Sequence, residues 1–161
     1  MRSLRPLSLV ALAVLSLGST GCLKRVILDG TVASTRKASV ALNTISDFEV
    51  AEKAASAGIV QLEGYHYLAP DNEDALIMLS RAWASLGFAF IEDAMERAQD
   101  AHGEESEDAL YHKERAAAAY SRSIYYGKVL MNMRHSGLAE AKKNAETIKA
   151  YFASFEGEED A

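Results

Sequence analysis

The side chains with the most chemistry to offer are four histidines, one cysteine, a set of clustered carboxylates and a group of tyrosines. His66, His102, His112 and His135 stand far apart in sequence. None lies three or four residues from another histidine or from the cysteine, the spacing at which two ligands share a helix face and hold zinc. Glu92 and Glu96 form an i, i+4 pair of like sign beside Asp93, which suits a solvated face better than an acid working with a base. No serine stands in a G-x-S-x-G elbow, and no glycine-rich loop links a strand pattern to a helix. A single cysteine, Cys22, excludes an internal disulfide and a cysteine-rich zinc site. No catalytic residue, metal or cofactor is therefore expected. Tyr120, Tyr125 and Tyr126 are weak candidates for a binding groove, because an aromatic ring with a polar tip suits an interface. A place in a helix core is their plainer role. His66, between Tyr65 and Tyr67 at a helix end, reads as an amphipathic rim residue.

The elements that carry these groups belong to one domain. The chain has 161 residues, 49% of them hydrophobic and 25% charged, with 2 prolines, which gives it the means to form a packed core. The net charge is −6, and residues 1–21 hold Arg2 and Arg5 but no acid, so their removal takes it to −8. A domain this acidic repels phosphate backbones, and nucleic-acid binding is not expected.

Residues 1–21 read as a signal peptide: two arginines, an apolar or small run from Leu7 to Leu17 too short to span a bilayer, and small residues up to Gly21. The segment Gly18-Ser19-Thr20-Gly21-Cys22 resembles the bacterial lipobox, with Ser19 where leucine is usual. The resemblance implies acylation of the Cys22 thiol, cleavage before it and acylation of the new amino terminus. Each buried CH₂ contributes about 0.8 kcal/mol, so several acyl chains hold a protein to a membrane durably. Leu23 follows the cysteine, not the aspartate that favours inner-membrane retention, which implies an outer-membrane anchor facing the periplasm.

Past Cys22 the pattern is helical, with abundant alanine and no sustained alternation of apolar and polar residues. Residues 22–30 read as a lipidated tether, 31–155 as the helical domain and 156–161 as an acidic tail. The first helix is expected from about Val32 to Ile45, with Thr31 as cap after Gly30. A second starts at the capping-box spacing Ser46-Asp47-Phe48-Glu49 and runs to about Tyr67 on an apolar row of Ala51, Ala55, Ile59 and Leu62. Pro70-Asp71-Asn72 breaks the chain. A third, long helix from Glu73 to about Ala101 carries two stripes, Leu76, Leu79, Trp83, Leu86 and Phe90 on one side and Ile77, Ala84, Phe88, Ile91 and Met95 on another, as in a helix between two neighbours. After a Gly103 stop and a Ser106 cap, a fourth is expected over Ala109 to Met133 with Ala116, Tyr120, Ser123, Ile124, Gly127, Leu130 and Met131 on one face. A fifth, Leu138 to Phe155, shows a heptad-like seam of Leu138, Ala141, Ala145, Ile148, Phe152 and Phe155 that caps the stack or pairs with a second copy.

The fold class is thus all-α, an antiparallel array of helix pairs. Trp83, Leu86, Gly87 and Phe90 resemble the first-helix pattern of a tetratricopeptide repeat, and Leu76, Leu79, Ser80 and Trp83 give a second register seven residues earlier. Ala116, Tyr120 and Ser123 resemble the second-helix pattern. The lipobox-like start, the break at Leu68-Ala69-Pro70-Asp71-Asn72, the stretch Ala75 to Asp93 and Tyr120-Ser121-Arg122-Ser123-Ile124-Tyr125-Tyr126-Gly127 together resemble the T-component lipoproteins of TRAP transporters, the TatT family, over roughly Cys22 to Met133. That resemblance implies a tetratricopeptide-like periplasmic scaffold associated with the substrate-binding protein of a TRAP system, with a homo-oligomer as a further possibility. A lipoprotein of envelope assembly with no transport role is the alternative.

Overall fold

The computed structural model describes residues 23–155. The signal peptide, Cys22 and the acidic tail fall outside the described residues. Residues 23–38 form α1, followed by a 3-10 turn over Ser39–Thr44. Then come α2 (Phe48–Leu68), α3 (Glu73–Leu86), α4 (Glu92–His102), α5 (Glu107–Arg134), α6 (Leu138–Ala141) and α7 (Ala145–Ala153). Among the described residues there is no strand, and the all-α expectation holds.

The long rod is the axis of the fold. α3 and α4 are one continuous helix from Glu73 to His102, joined by a π-helical stretch over Gly87–Ile91. Asn72 caps its start by accepting from the Ala75 N–H at 2.9 Å, and Glu73 and Asp74 lie at the positive end of its dipole. The rod is long and apolar enough to cross a membrane. Its apolar side instead faces protein: Leu76 and Leu79 are fully buried with Leu62, Met78 and Tyr126. Burial of each such leucine contributes about 1.5–3 kcal/mol.

α5 runs antiparallel to this rod. Arg134 reaches Glu73, Ser123 and Ser80 exchange reciprocal hydroxyl-to-carbonyl bonds of 2.8 and 3.1 Å, Tyr120 packs on Gly87, and Ala116 shares a cluster with Ile91. A Cβ on Gly87 would stand 3.2 Å from the Tyr120 ring, so the missing side chain is what lets the two helices approach here. α2 lies antiparallel on another side, with Glu63 on Trp83 and the Phe48 ring 5.1 Å from Phe90. The expected break at Pro70, the Ser106 cap and the glycine stop are all present, Gly103 with a φ of +91° and Ser106 accepting from the Ala109 N–H.

Four boundaries differ from the sequence reading. The helix expected from about Val32 already covers residues 23–30, and Thr31, expected as its cap, sits inside it with its hydroxyl on the Ile27 carbonyl. Gly30 costs about 1 kcal/mol in a helix interior, but Val32 is fully buried and Asp29 binds Asn72, and these tertiary contacts outweigh the breaker. The α2 cap is Asp47, accepting from the Val50 N–H, and not Ser46.

The third difference lies in the rod. The π stretch inserts one residue into the helical count, so the inner row that begins at Leu76, Leu79 and Trp83 continues at Gly87, Ile91 and Ala98. Phe88, expected on an inner stripe, is 73% exposed. On α5, Ile124 is likewise exposed, and Tyr126 takes the inner place.

The fourth is the C-terminal segment, which is not one helix. Asn144 accepts from the Glu146 and Thr147 N–H groups and starts α7 afresh, while the Thr147 hydroxyl bonds the Ala141 carbonyl. The new start turns α7 so that Tyr151 is buried with Leu138 and Ala141, whereas Phe152, a member of the expected seam, is half exposed. The Tyr151 phenol donates to the Met131 and His135 carbonyls at the end of α5, and burial pushes its pKa up. The segment folds back on α5 as an intramolecular hook.

Candidate functional site

The strongest polar constellation lies where α2, α3 and α5 meet. Glu63 sits beside Leu62 on the inner side of α2, Trp83 comes from the rod, and Arg122 and Tyr126 come from successive turns of α5. Glu63 Oε1 accepts from Trp83 Nε1 at 2.9 Å and from the Arg122 guanidinium at 2.7 Å, while the Tyr126 hydroxyl donates to Oε2. The Arg122 guanidinium also donates to the Tyr126 oxygen at 2.6 Å and lies over the Trp83 and Tyr126 rings. A carboxylate with this many charge-assisted donors is held in one geometry.

The electrostatics follow from that packing. Burial pushes the Glu63 carboxyl up, but hydrogen bonds from Tyr126, Arg122 and Trp83 outweigh it and hold it below its usual range. Burial and the neighbouring Glu63 push the Tyr126 phenol well up, so it stays a neutral donor. The Glu63 hydrogen bond raises Arg122 further still. Every member is satisfied by another member, so the cluster acts as a clamp across three helices.

The three tyrosines singled out in the sequence separate. Tyr126 is buried in the clamp. Tyr125 packs edge-on against it, ring centroids 5.1 Å apart, and is 52% exposed with Ile124 on the outer side of α5. Tyr120 packs on Gly87 and is raised by burial and by its bond to Glu92. They do not line a common groove. Cys22, the expected lipidation site, falls outside the described residues.

The histidines stay apart in space as in sequence. His66, half-buried, contacts Tyr126 edge-on at 5.2 Å beside the junction, and its buried Nδ1 has no hydrogen-bond partner. His112 approaches Asp108 and Arg115, and His135 stacks on Phe155. Among the described residues no three His, Cys, Asp or Glu groups could hold a metal. Sequence reasoning missed Glu63 and Arg122. The available signal was an acid and a base bordering the apolar rows of α2 and α5.

The outer side of α5 offers a different surface. Leu110 and Tyr111, Ala117 and Ala118, and Ile124 and Tyr125 are exposed pairs one heptad apart, with the exposed Glu114 and Ser121 between them, so apolar patches alternate with polar residues along this face. Its C-terminal pair adjoins the clamp through the Tyr125 ring on Tyr126.

A family model described as TRAP transporter T-component matches residues 44–159. The match starts after α1 and continues past Met133 through the C-terminal hook, further than the residues that carried the resemblance in the sequence. No curated protein and no solved structure matches the chain.

Proposed function

The chain belongs to the TRAP transporter T-component family, and from that premise we propose that it is a lipid-anchored, tetratricopeptide-like scaffold or adaptor that binds the substrate-binding protein of a TRAP system by surface contact, with no enzymatic step. Membership associates it with a TRAP transporter and a location at the cell envelope. The adaptor role rests on one observation above all, the exposed Ile124 and Tyr125 pair of α5, whose tyrosine packs on Tyr126 of the Glu63, Trp83, Arg122 and Tyr126 clamp. Exposed aromatic and aliphatic side chains on a preorganised helix suit protein recognition, because little side-chain freedom is lost on docking.

Titration of the purified cognate substrate-binding protein onto the acylated protein tests this reading. Ile124→Asp with Tyr125→Asp should weaken the complex by at least tenfold while the far-ultraviolet circular dichroism stays unchanged. Absence of a complex with the wild type, or an unchanged Kd in the double variant, overturns it.

The anchor rests on Cys22 directly behind Gly21. Cys22→Ala should move the protein from the membrane fraction to the soluble periplasm or leave the signal uncleaved. Unmodified, soluble wild type after fractionation overturns the anchor and the outer-membrane location that depends on it.

A further inference from the structure

Helix α1 is already formed at residue 23, the first described residue and the one that follows the cysteine proposed to carry the acyl chains. It is also fastened to the domain. Val32 is fully buried in the main core, Arg25 donates to Asp71 at 2.7 Å and to Asp29 at 2.9 Å, Asp29 accepts from Asn72 at 2.7 Å, and Arg36 pairs with Asp74. Asn72 therefore caps α3 with its oxygen and grips α1 with its nitrogen. An anchor at Cys22 would lead straight into a helix locked to the core.

The side of α1 turned away from the core has a composition of its own. Leu23, Val26 and Ile27 are 62%, 67% and 60% exposed in its first two turns. The same face continues as a shallow depression along Gly30, Ser34 and Ala38. No acid interrupts it, since Asp29 faces Asn72, and the exposed Lys24 and Lys37 stand near its margins. Between 23 and 38 the helix holds Lys24, Arg25, Arg36 and Lys37 against Asp29 alone, in a chain whose net charge is negative.

We propose that this outer face of α1 docks on the lipid surface beside the anchor, so that the domain stands on the membrane in one fixed orientation. The inference rests on the proposed acylation of Cys22. Leu23, Val26 and Ile27 follow Cys22 within five positions, so an anchor there brings their exposed side chains to the lipid surface, where an interfacial helix sinks its apolar face about 5–10 Å into the headgroup and acyl boundary. Lysines at the margins reach anionic headgroups while their stems cover apolar surface.

The test uses the full acylated protein in vesicles of phosphatidylethanolamine and phosphatidylglycerol. Acylation consumes the Cys22 thiol, so Ile27→Cys and, separately, Val60→Cys on the exposed side of α2 each supply a unique site for a nitroxide. The ratio of oxygen to aqueous nickel accessibility should be at least fivefold higher at position 27 than at position 60. Equal ratios, on a protein whose mass shows the acyl chains, overturn docking and leave the anchor standing. Spin–spin broadening at position 27 assigns the face to a second copy and also overturns it. An unmodified Cys22 by mass overturns both the anchor and the docking built on it. Val26→Glu with Ile27→Glu, labelled at Ser34→Cys, should lower the ratio at that site toward the value at position 60, and no change there counts against docking.

Discussion

The three-helix junction and the C-terminal hook hold their helices by opposite means. At the junction, Arg122 and Tyr126 come from α5, 59 and 63 residues beyond Glu63, and meet it and Trp83 in a charged network beside a fully buried apolar core. At the hook, Leu138, Ala141 and Tyr151 pack on the nearby end of α5, and the Tyr151 phenol bonds its last carbonyls. The junction closes only when the whole domain is folded, whereas the hook can open while the rest stays intact. Long-range networks thus define the domain, and local contacts finish its end.

The largest effect expected is at the junction. Trp83→Ala removes a large aromatic, the donor to Glu63 and the ring under Arg122 together, and should cost about 3–5 kcal/mol in urea unfolding with one cooperative transition. A loss below about 1 kcal/mol would mean that the junction does not govern the domain.

Next comes Glu63→Gln, with a loss of about 2 kcal/mol at neutral pH, because the hydrogen bonds lost are to a charged acceptor. The wild-type carboxyl titrates below its ordinary value of 4.5, so its stabilising contribution is present above that pH and disappears as pH falls through the lower folded-state value. The variant's unfolding midpoint should therefore depend less on pH below about 4.5, and parallel pH profiles would remove Glu63 from the account.

Gly87→Ala sets a gain in helix propensity against the Tyr120 ring 3.2 Å away. A net loss of about 1 kcal/mol is expected, and a gain would show that Tyr120 moves aside freely.

The smallest global effect belongs to the hook. Tyr151→Phe keeps the ring and deletes the bonds to Met131 and His135, costing about 1 kcal/mol or less. Hydrogen exchange should quicken in α6 and α7 and stay unchanged in α3. Equal quickening in both would join the two regions into one cooperative unit.

Local chemistry made much of this fold readable. Pro70 with Asn72, Ser106 and Gly103 punctuate the chain by mechanisms that act within a few residues, and the helices they separate appear where expected. What escaped reading depends on distant partners. Gly30 looks like a stop until Val32 is seen buried under the rod, and Glu63 looks solvated until Arg122 arrives from α5. Asn144 was a missed local signal, since its capping bonds span only two or three residues. Of the tyrosine candidates only Tyr125 presents an exposed ring beside the clamp, because helix phase, not residue type, decides which of two adjacent tyrosines turns inward.

The π stretch at Gly87–Ile91 makes the length of the rod a constrained quantity. Deleting one residue there would wind the remainder back by about 100°, carrying Ile91 away from Ala116 and Ala119, turning the buried Ala98 out of its place and bringing their neighbours in. Two such errors of opposite sign, a deletion at the π stretch and an insertion just beyond it, would cancel from that point on. The rod behaves like a thread cut in two sections, and Gly87–Ile91 is the offset that lets both engage the same nut.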